Sequence, residues 1–441
     1  MRQVWARNRG DIARYALLGI GGKLAHLTGI RLFGGLLDGV AGAPVAPALL
    51  WLYAGLLIAA HGLFYLQNHP DQRLRHGIRC QLKLDALAKM ATIDLTAWQQ
   101  LGTGMLVERI ESGAQAGSDM AVNFYLRLAA EIVPEMAFSL CFIALVDRRV
   151  ALYALAGYLV VFVVTRLMLK ALYRQKERVL TGEEAFSRLM VRGLMEMPVF
   201  RLGGWYRREI DRASAISREI VGGKARIMMI HEGFFALFAA IVALFKVALI
   251  GYGFATRSVT VGALAMLVAY LDSVYQPIAV FNVLYVEYKL NSLAYQRYLA
   301  VLRAADTPHL NEGEPAPEAA DISFERVHCA YGGREVYRDL SFSIPAGRVV
   351  AIAGESGAGK SSLLRQLTGL IPAASGRILV GGRDVSRVNL GEYYRKIAYL
   401  PQDAPVFDGT VRENLAFGAP IGDERLLRAL RDACLGPLMD R

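Results

Sequence analysis

The chain has 441 residues, of which 54% are hydrophobic and 20% charged, with a net charge of +11. That apolar balance excludes intrinsic disorder over most of the length, and the length suits two or three domains. The apolar residues gather before residue 290, so one soluble domain is excluded. The basic excess in so apolar a chain points to cytoplasmic membrane loops rather than nucleic acid. Four scattered cysteines, Cys80, Cys141, Cys329 and Cys434, support neither a disulfide framework nor a zinc site. The N-terminus is polar to Arg14, and the apolar run after it contains Lys23, His26 and Arg31, a poor core for a cleaved signal.

A membrane helix needs about 20 mostly apolar residues. Six stretches qualify: 15–37, 45–66, 129–146, 150–169, 233–255 and 261–286. The first carries three basic residues. The others carry few ionisable groups: His61, then Glu131 and Glu135, then Arg166, Lys246 and Asp272. Arg2, Arg7, Arg9 and Arg14 precede the first stretch. Arg73, Arg75, Arg79 and Lys83 follow the second, and Lys170, Arg174, Lys176 and Arg178 follow the fourth, whereas 38–44 has no Lys or Arg. This bias predicts cytoplasmic termini; Arg148 and Arg149 run against it. The internal connections 73–122 and 170–230 are long, rich in Leu, Arg, Glu and Ala, and nearly free of proline. They predict helices that leave the membrane and return, projecting roughly 35–40 Å. The turns should fall near 98 and 200, where glycines interrupt the pattern beside Trp98, Phe200, Trp205 and Tyr206. Aromatics at an exposed tip suit docking onto another domain; core aromatics that stabilise the turn are the other reading. Lys23, His26 and Arg31 share an arc of roughly 140° on one helix, and intramembrane ionisable groups either serve function or pair with one another. The domain plan is therefore a membrane domain over 1–305, a linker over 306–319 rich in Pro and Glu, and an α/β domain from 320 to 441.

In that last part, the run 348–353 (Arg-Val-Val-Ala-Ile-Ala) predicts a short buried strand. It leads into Gly354, Glu355, Ser356, Gly357, Ala358, Gly359, Lys360 and Ser361, then Ser362 and a helical pattern. Strand, GxxxxGK[ST] and helix in this order is the context a phosphate-binding loop requires. Glycines let successive N–H groups turn toward phosphate oxygens, and the helix start adds its positive dipole end. Lys360 is the candidate partner of the β- and γ-phosphates, and the Ser361 hydroxyl a candidate Mg²⁺ ligand. Tyr331, 23 residues before the loop, could stack on adenine. Residues 396–403 predict a further strand that ends at Gln402.

Taken together these features resemble the ATP-binding cassette (ABC) transporters of exporter type, over nearly the whole chain. The resemblance implies a membrane domain of six transmembrane helices with long cytoplasmic hairpins, followed by an incomplete α/β P-loop nucleotide-binding domain. It implies ATP and Mg²⁺ as cofactors, with Tyr331 on adenine and Gln402 on Mg²⁺, linking the nucleotide to coupling helices at 97–104 and 200–206. Residues 407–415 resemble the segment that follows that glutamine in exporters. The implied partners are a second half-transporter subunit, in a homo- or heterodimer, the lipid bilayer and a transported substrate of unknown class, with no nucleic acid. The implied location is a bacterial plasma (inner) membrane, with the N-terminus and the nucleotide-binding domain cytoplasmic. Three expected motifs do not occur before Arg441: the Leu-Ser-Gly-Gly-type signature, the Walker B strand with its catalytic glutamate, and the switch histidine. No catalytic residue is therefore identifiable. The expectation is an N-terminal part of a longer product, itself unable to hydrolyse ATP. With Arg441 as the true end, the alternative is a nucleotide-binding membrane subunit without ATPase activity.

Overall fold

The computed structural model describes all residues except 1, 43, 45, 102, 257, 258, 319, 320, 332, 333, 402, 403 and 436–441. It divides into two compact units, Met1–Ile93 with Ala97–Asp306, and Thr307–Arg441 with Asp94–Thr96.

The first unit is helical. In chain order it holds α1 (Arg2–Arg7), α2 (Arg9–Val40), α3 (Ala48–Met90), α4 (Leu95–Leu101), which begins in residues grouped with the second unit, and α5 (Thr103–Asp119). Two π-helical stretches, Met120–Leu126 and Leu128–Ile132, lead into α6 (Val133–Val146). Then follow α7 (Arg148–Met195), α8 (Met197–Leu202), α9 (Tyr206–Thr256) and α10 (Val261–Leu302). Among the described residues, four helical segments are long and apolar enough to cross a membrane: Ala48–Met90, Met105–Val146, Tyr206–Ala255 and Val261–Leu302. α3, α7 and α9 run on well past the apolar stretches. α4 and α8 are short helices at the two places where the glycine-broken pattern predicts turns. Asp147 starts α7, its carboxylate accepting from the Arg149 backbone N–H at 2.7 Å and from Tyr252 Oη at 3.2 Å.

α10 is the centre of this unit. Tyr270, Tyr275 and Tyr298 are fully buried on it, and a buried phenol needs a hydrogen-bond partner. Each donates to the backbone of a different helix: Tyr270 to Leu27 O at 2.9 Å in α2, Tyr275 to Ala154 O at 3.1 Å in α7, and Tyr298 to Leu82 O at 2.7 Å in α3. Two apolar clusters surround these anchors, one around Leu74, Leu82, Met120 and Tyr298, the other around Leu27, Ile143, Leu267 and Tyr275.

The second unit carries β1 (Ile322–Tyr331), β2 (Arg334–Ile344), α11 (Lys360–Leu367), β3 (Ser375–Val380), β4 (Arg383–Asp384), α12 (Leu390–Tyr394), α13 (Val411–Ala416) and α14 (Asp423–Asp432). Its sheet is antiparallel, in the order β2-β1-β3-β4. Phe324 pairs with Phe342, the rings stacked 4.6 Å apart. Beneath them lie Val327, Leu363, Ile378, Val388 and Tyr393. Two sequence expectations are corrected here. Neither 348–353 nor the described part of 396–403 forms a strand. Val349 is fully exposed, and Val350 and Ile352 are about half-exposed. A strand exists only by its ladder, and no described segment forms one with these residues. The 306–319 stretch is not a free tether either. Glu314 N donates to Arg387 O at 2.9 Å, Asn389 N to Glu314 O at 2.7 Å, and Lys396 Nζ to Pro317 O at 3.0 Å.

Candidate functional site

The loop of residues 354–361 leads directly into α11. Gly357 and Gly359 have φ of +86° and +90°, which side chains with a Cβ disfavour. Gly359 is doubly constrained, because a Cβ there would stand 2.6 Å from Val336 Cγ1. Between them the Ala358 N–H closes a turn onto Glu355 O at 3.2 Å. Glu355, Ser356 and Ala358 are exposed on the outside of this turn. The Lys360 ammonium folds back into the loop and donates to Gly354 O at 2.8 Å and Glu355 O at 2.7 Å. Ser361 is exposed in the first turn of α11 and Ser362 is half-buried behind it. The first turn of any helix leaves N–H groups without helical partners, and its end carries about half a positive charge. A lysine held beside such an end is suited to an anion.

Packing fixes the direction of α11. Leu363 and Gln366 face the core. Tyr337 Oη donates to Gln366 Oε1 at 2.6 Å, and Gln366 Nε2 donates to Pro372 O at 3.3 Å. Tyr393 Oη donates to Leu367 O at 3.1 Å from below. The sequence pattern does not single out Tyr337 or Gln366; its one signal is a lone glutamine at an apolar helical position. The backbone of Tyr331 ends β1, opposite Arg334, but its side chain lies outside the described residues, and Gln402 lies outside them altogether. Of the expected site residues, the structure brings together Gly354 to Ser362.

The ionisable groups of the apolar helices are mostly paired. Lys23 Nζ lies 2.7 Å from Glu135 Oε2, joining α2 to α6. Lys246 Nζ lies 2.6 Å from Asp272 Oδ1, joining α9 to α10. Glu131, in the π-helical stretch, accepts from Tyr15 Oη, from Gln67 Nε2 at 3.0 Å and from Arg127 Nε at 3.2 Å. Glu131 thus anchors the π-helical stretch to α2 and α3. At the hairpin turns the aromatics divide. Phe200 is buried, with Trp205 and Tyr206 around it and the Arg192 guanidinium over its face. Trp205 and Leu202 are exposed, and Trp98 is partly so.

Residues 337–441 match the family model described as ABC transporter. A probable ABC transporter ATP-binding/permease protein of Haemophilus influenzae is 26% identical over 398 residues, covering 87% of this chain and 68% of that protein. A multidrug efflux ATP-binding/permease protein of Mycobacterium tuberculosis is 26% identical over 444 residues, covering 94% of this chain and 36% of its own length. The solved structure of a bacterial Atm1-family ABC exporter with ATP bound superposes with a TM-score of 0.82 at 21% identity, over 100% of this chain and 79% of that one.

Proposed function

We propose that this chain, which belongs to the ABC transporter family, is an ATP-driven exporter subunit that works as a dimer in the membrane. The single observation that carries the reading is the fusion, in one chain, of long apolar helices with a glycine-shaped loop that presents Lys360 at a helix start. In this reading six helices cross a bacterial inner membrane, and the N-terminus and the second unit are cytoplasmic. Lys360 turns from the carbonyls it now contacts to the β- and γ-phosphates of ATP. The Ser361 hydroxyl is the Mg²⁺ ligand from this loop, Gln402 a second one, and Tyr331 the adenine platform. The backbone of Gly354, Glu355, Ser356, Gly357, Ala358 and Gly359 wraps the phosphates, and Ser362 supports the helix start. When bound, Mg²⁺ supplies charge neutralisation on the phosphates.

Residues 1–441 supply one side of such a site. The attacking water also needs a positioned carboxylate and charge-stabilising groups, and the nearest acids after Gln402, Asp403 and Asp408, are not in a Walker B strand. In this reading the complementary signature comes from the second subunit of the dimer. A nucleotide-binding subunit without ATPase activity is the less favoured reading, because the long relatives are ATP-binding/permease proteins. Lipid, peptide and drug-like cargo are all compatible with the membrane unit.

The test is ATP binding by the purified chain. Lys360→Ala should weaken it at least about tenfold, the loss of one hydrogen-bonded charge. Tyr331→Ala should weaken it less and reduce the preference for ATP over GTP. Unchanged ATP affinity in Lys360→Ala would overturn the assignment of the loop.

A further inference from the structure

A cavity of about 500 Å³ lies between α7 and α9, in the helical unit and apart from the loop at Lys360. Arg178 lines it from α7, and Arg218 and Arg226 line it from α9, against a single acid, Glu219. None of the three arginines has an ion-pair partner among the described residues. The neighbouring cation Lys224 does have one, at 2.7 Å from Glu183.

The helical repeat explains the arrangement. Arg218, Gly222 and Arg226 recur every four residues, so they share one face of α9, with the arginines about 12 Å apart along the axis. At Gly222 an added Cβ would meet nothing within 4 Å, so this position opens onto space. One residue on, the helices touch: a Cβ on Gly223 would stand 2.5 Å from Val179 Cγ2, and one on Gly182 would stand 3.1 Å from Ile220 Cγ1. Glycine inside a helix is unfavourable relative to alanine. Here two glycines bring the helices together and a third leaves the gap between two arginines.

Three exposed arginines line one gap against one acid, an excess of positive charge that attracts an anion. The planar fork of arginine matches the oxygens of phosphate and carboxylate. We propose that this cavity binds a small molecule, or a lipid headgroup, that carries two or more phosphate or carboxylate charges. The proposal rests on the cavity alone and stands whether or not the loop at Lys360 binds ATP.

The test uses the whole chain carrying Lys360→Ala, so that the loop does not compete, in neutral detergent at low salt. Titration calorimetry with inorganic pyrophosphate and with citrate should show saturable binding. Arg218→Gln and Arg226→Gln should each weaken it about tenfold, and half-molar salt should weaken it further. Gly222→Leu fills the gap without changing any charge and should weaken binding at least as much, whereas Arg365→Gln on α11 should leave it unchanged. In phosphatidylcholine nanodiscs, loss of pyrophosphate binding on adding cardiolipin, whose headgroup carries two phosphates, would assign the cavity to a lipid headgroup. Persistence would assign it to a soluble anion; either outcome supports the site. Absence of saturable binding in detergent overturns the proposal. So does unchanged affinity in a Gly222→Leu variant that folds by circular dichroism, or, where that variant does not fold, in both arginine variants.

Discussion

Lys23 and Glu135 are 112 positions apart in the chain, and their side chains meet at 2.7 Å between α2 and α6. Both are about four-fifths covered. Little water is left to solvate either charge once its partner is removed, so the pair acts as a structural tie between the two helices.

Removing one partner should therefore cost more than the pair is worth. Lys23→Met or Glu135→Gln is expected to destabilise the unit by about 3–5 kcal/mol, the usual cost of orphaning a mostly buried charge. The double exchange Lys23→Glu with Glu135→Lys should recover most of that. Thermal unfolding in detergent reads the effect, and a double variant no more stable than the singles would refute the tie.

In the proposed orientation α8 lies on the cytoplasmic side. In a background lacking Cys80, Cys141, Cys329 and Cys434, a single cysteine at Leu202, which is 90% exposed, should react with a membrane-impermeant thiol reagent only in inverted vesicles. The same holds for Gly203. Labelling from outside intact cells would refute the six-span orientation.

Chemistry in the 441 residues should stop at binding. Phosphate release by the purified chain is expected to stay at background, with or without Lys360→Ala, because the sequence to Arg441 carries no Walker B strand with its glutamate. Sustained turnover that disappears in Lys360→Ala would show that one of the acids present acts as the base.

The start of α13 should weaken in acid. The Thr410 backbone N–H donates to Glu413 Oε2 at 2.7 Å and the Thr410 hydroxyl at 2.9 Å, and these bonds hold the carboxyl below the usual glutamate range. The Thr410 hydroxyl in turn accepts from Glu413 N at 3.2 Å, completing a capping box. A carboxyl depressed in the folded state stabilises fully above its unfolded value and loses that contribution as pH falls through its folded value. Hydrogen exchange over 411–416, corrected for intrinsic rate, should show protection at neutral pH that is lost below the ordinary glutamate range. Glu413→Gln should flatten that dependence; an unchanged profile would refute the role of the carboxylate.

The parts of this protein that are local in sequence are legible from the residues alone. Gly354 to Ser361 is a contiguous motif whose glycines and lysine act within eight positions, so its turn needs few distant neighbours. The helices and their breaks near 98 and 200 follow from hydrophobic runs and glycine placement, both nearest-neighbour properties. The tertiary structure decided whatever depends on a distant partner. A charged residue in an apolar helix does not announce its partner, so Lys23–Glu135, Lys246–Asp272 and the three donors to Glu131 emerged only on packing. The same reason separates Phe200, buried, from Trp205, exposed, five positions on. It also undid the expected strand at 348–353: an apolar run carries the propensity for a strand, but a strand is made by the backbone that lies beside it, and only the folded chain decides whether any does.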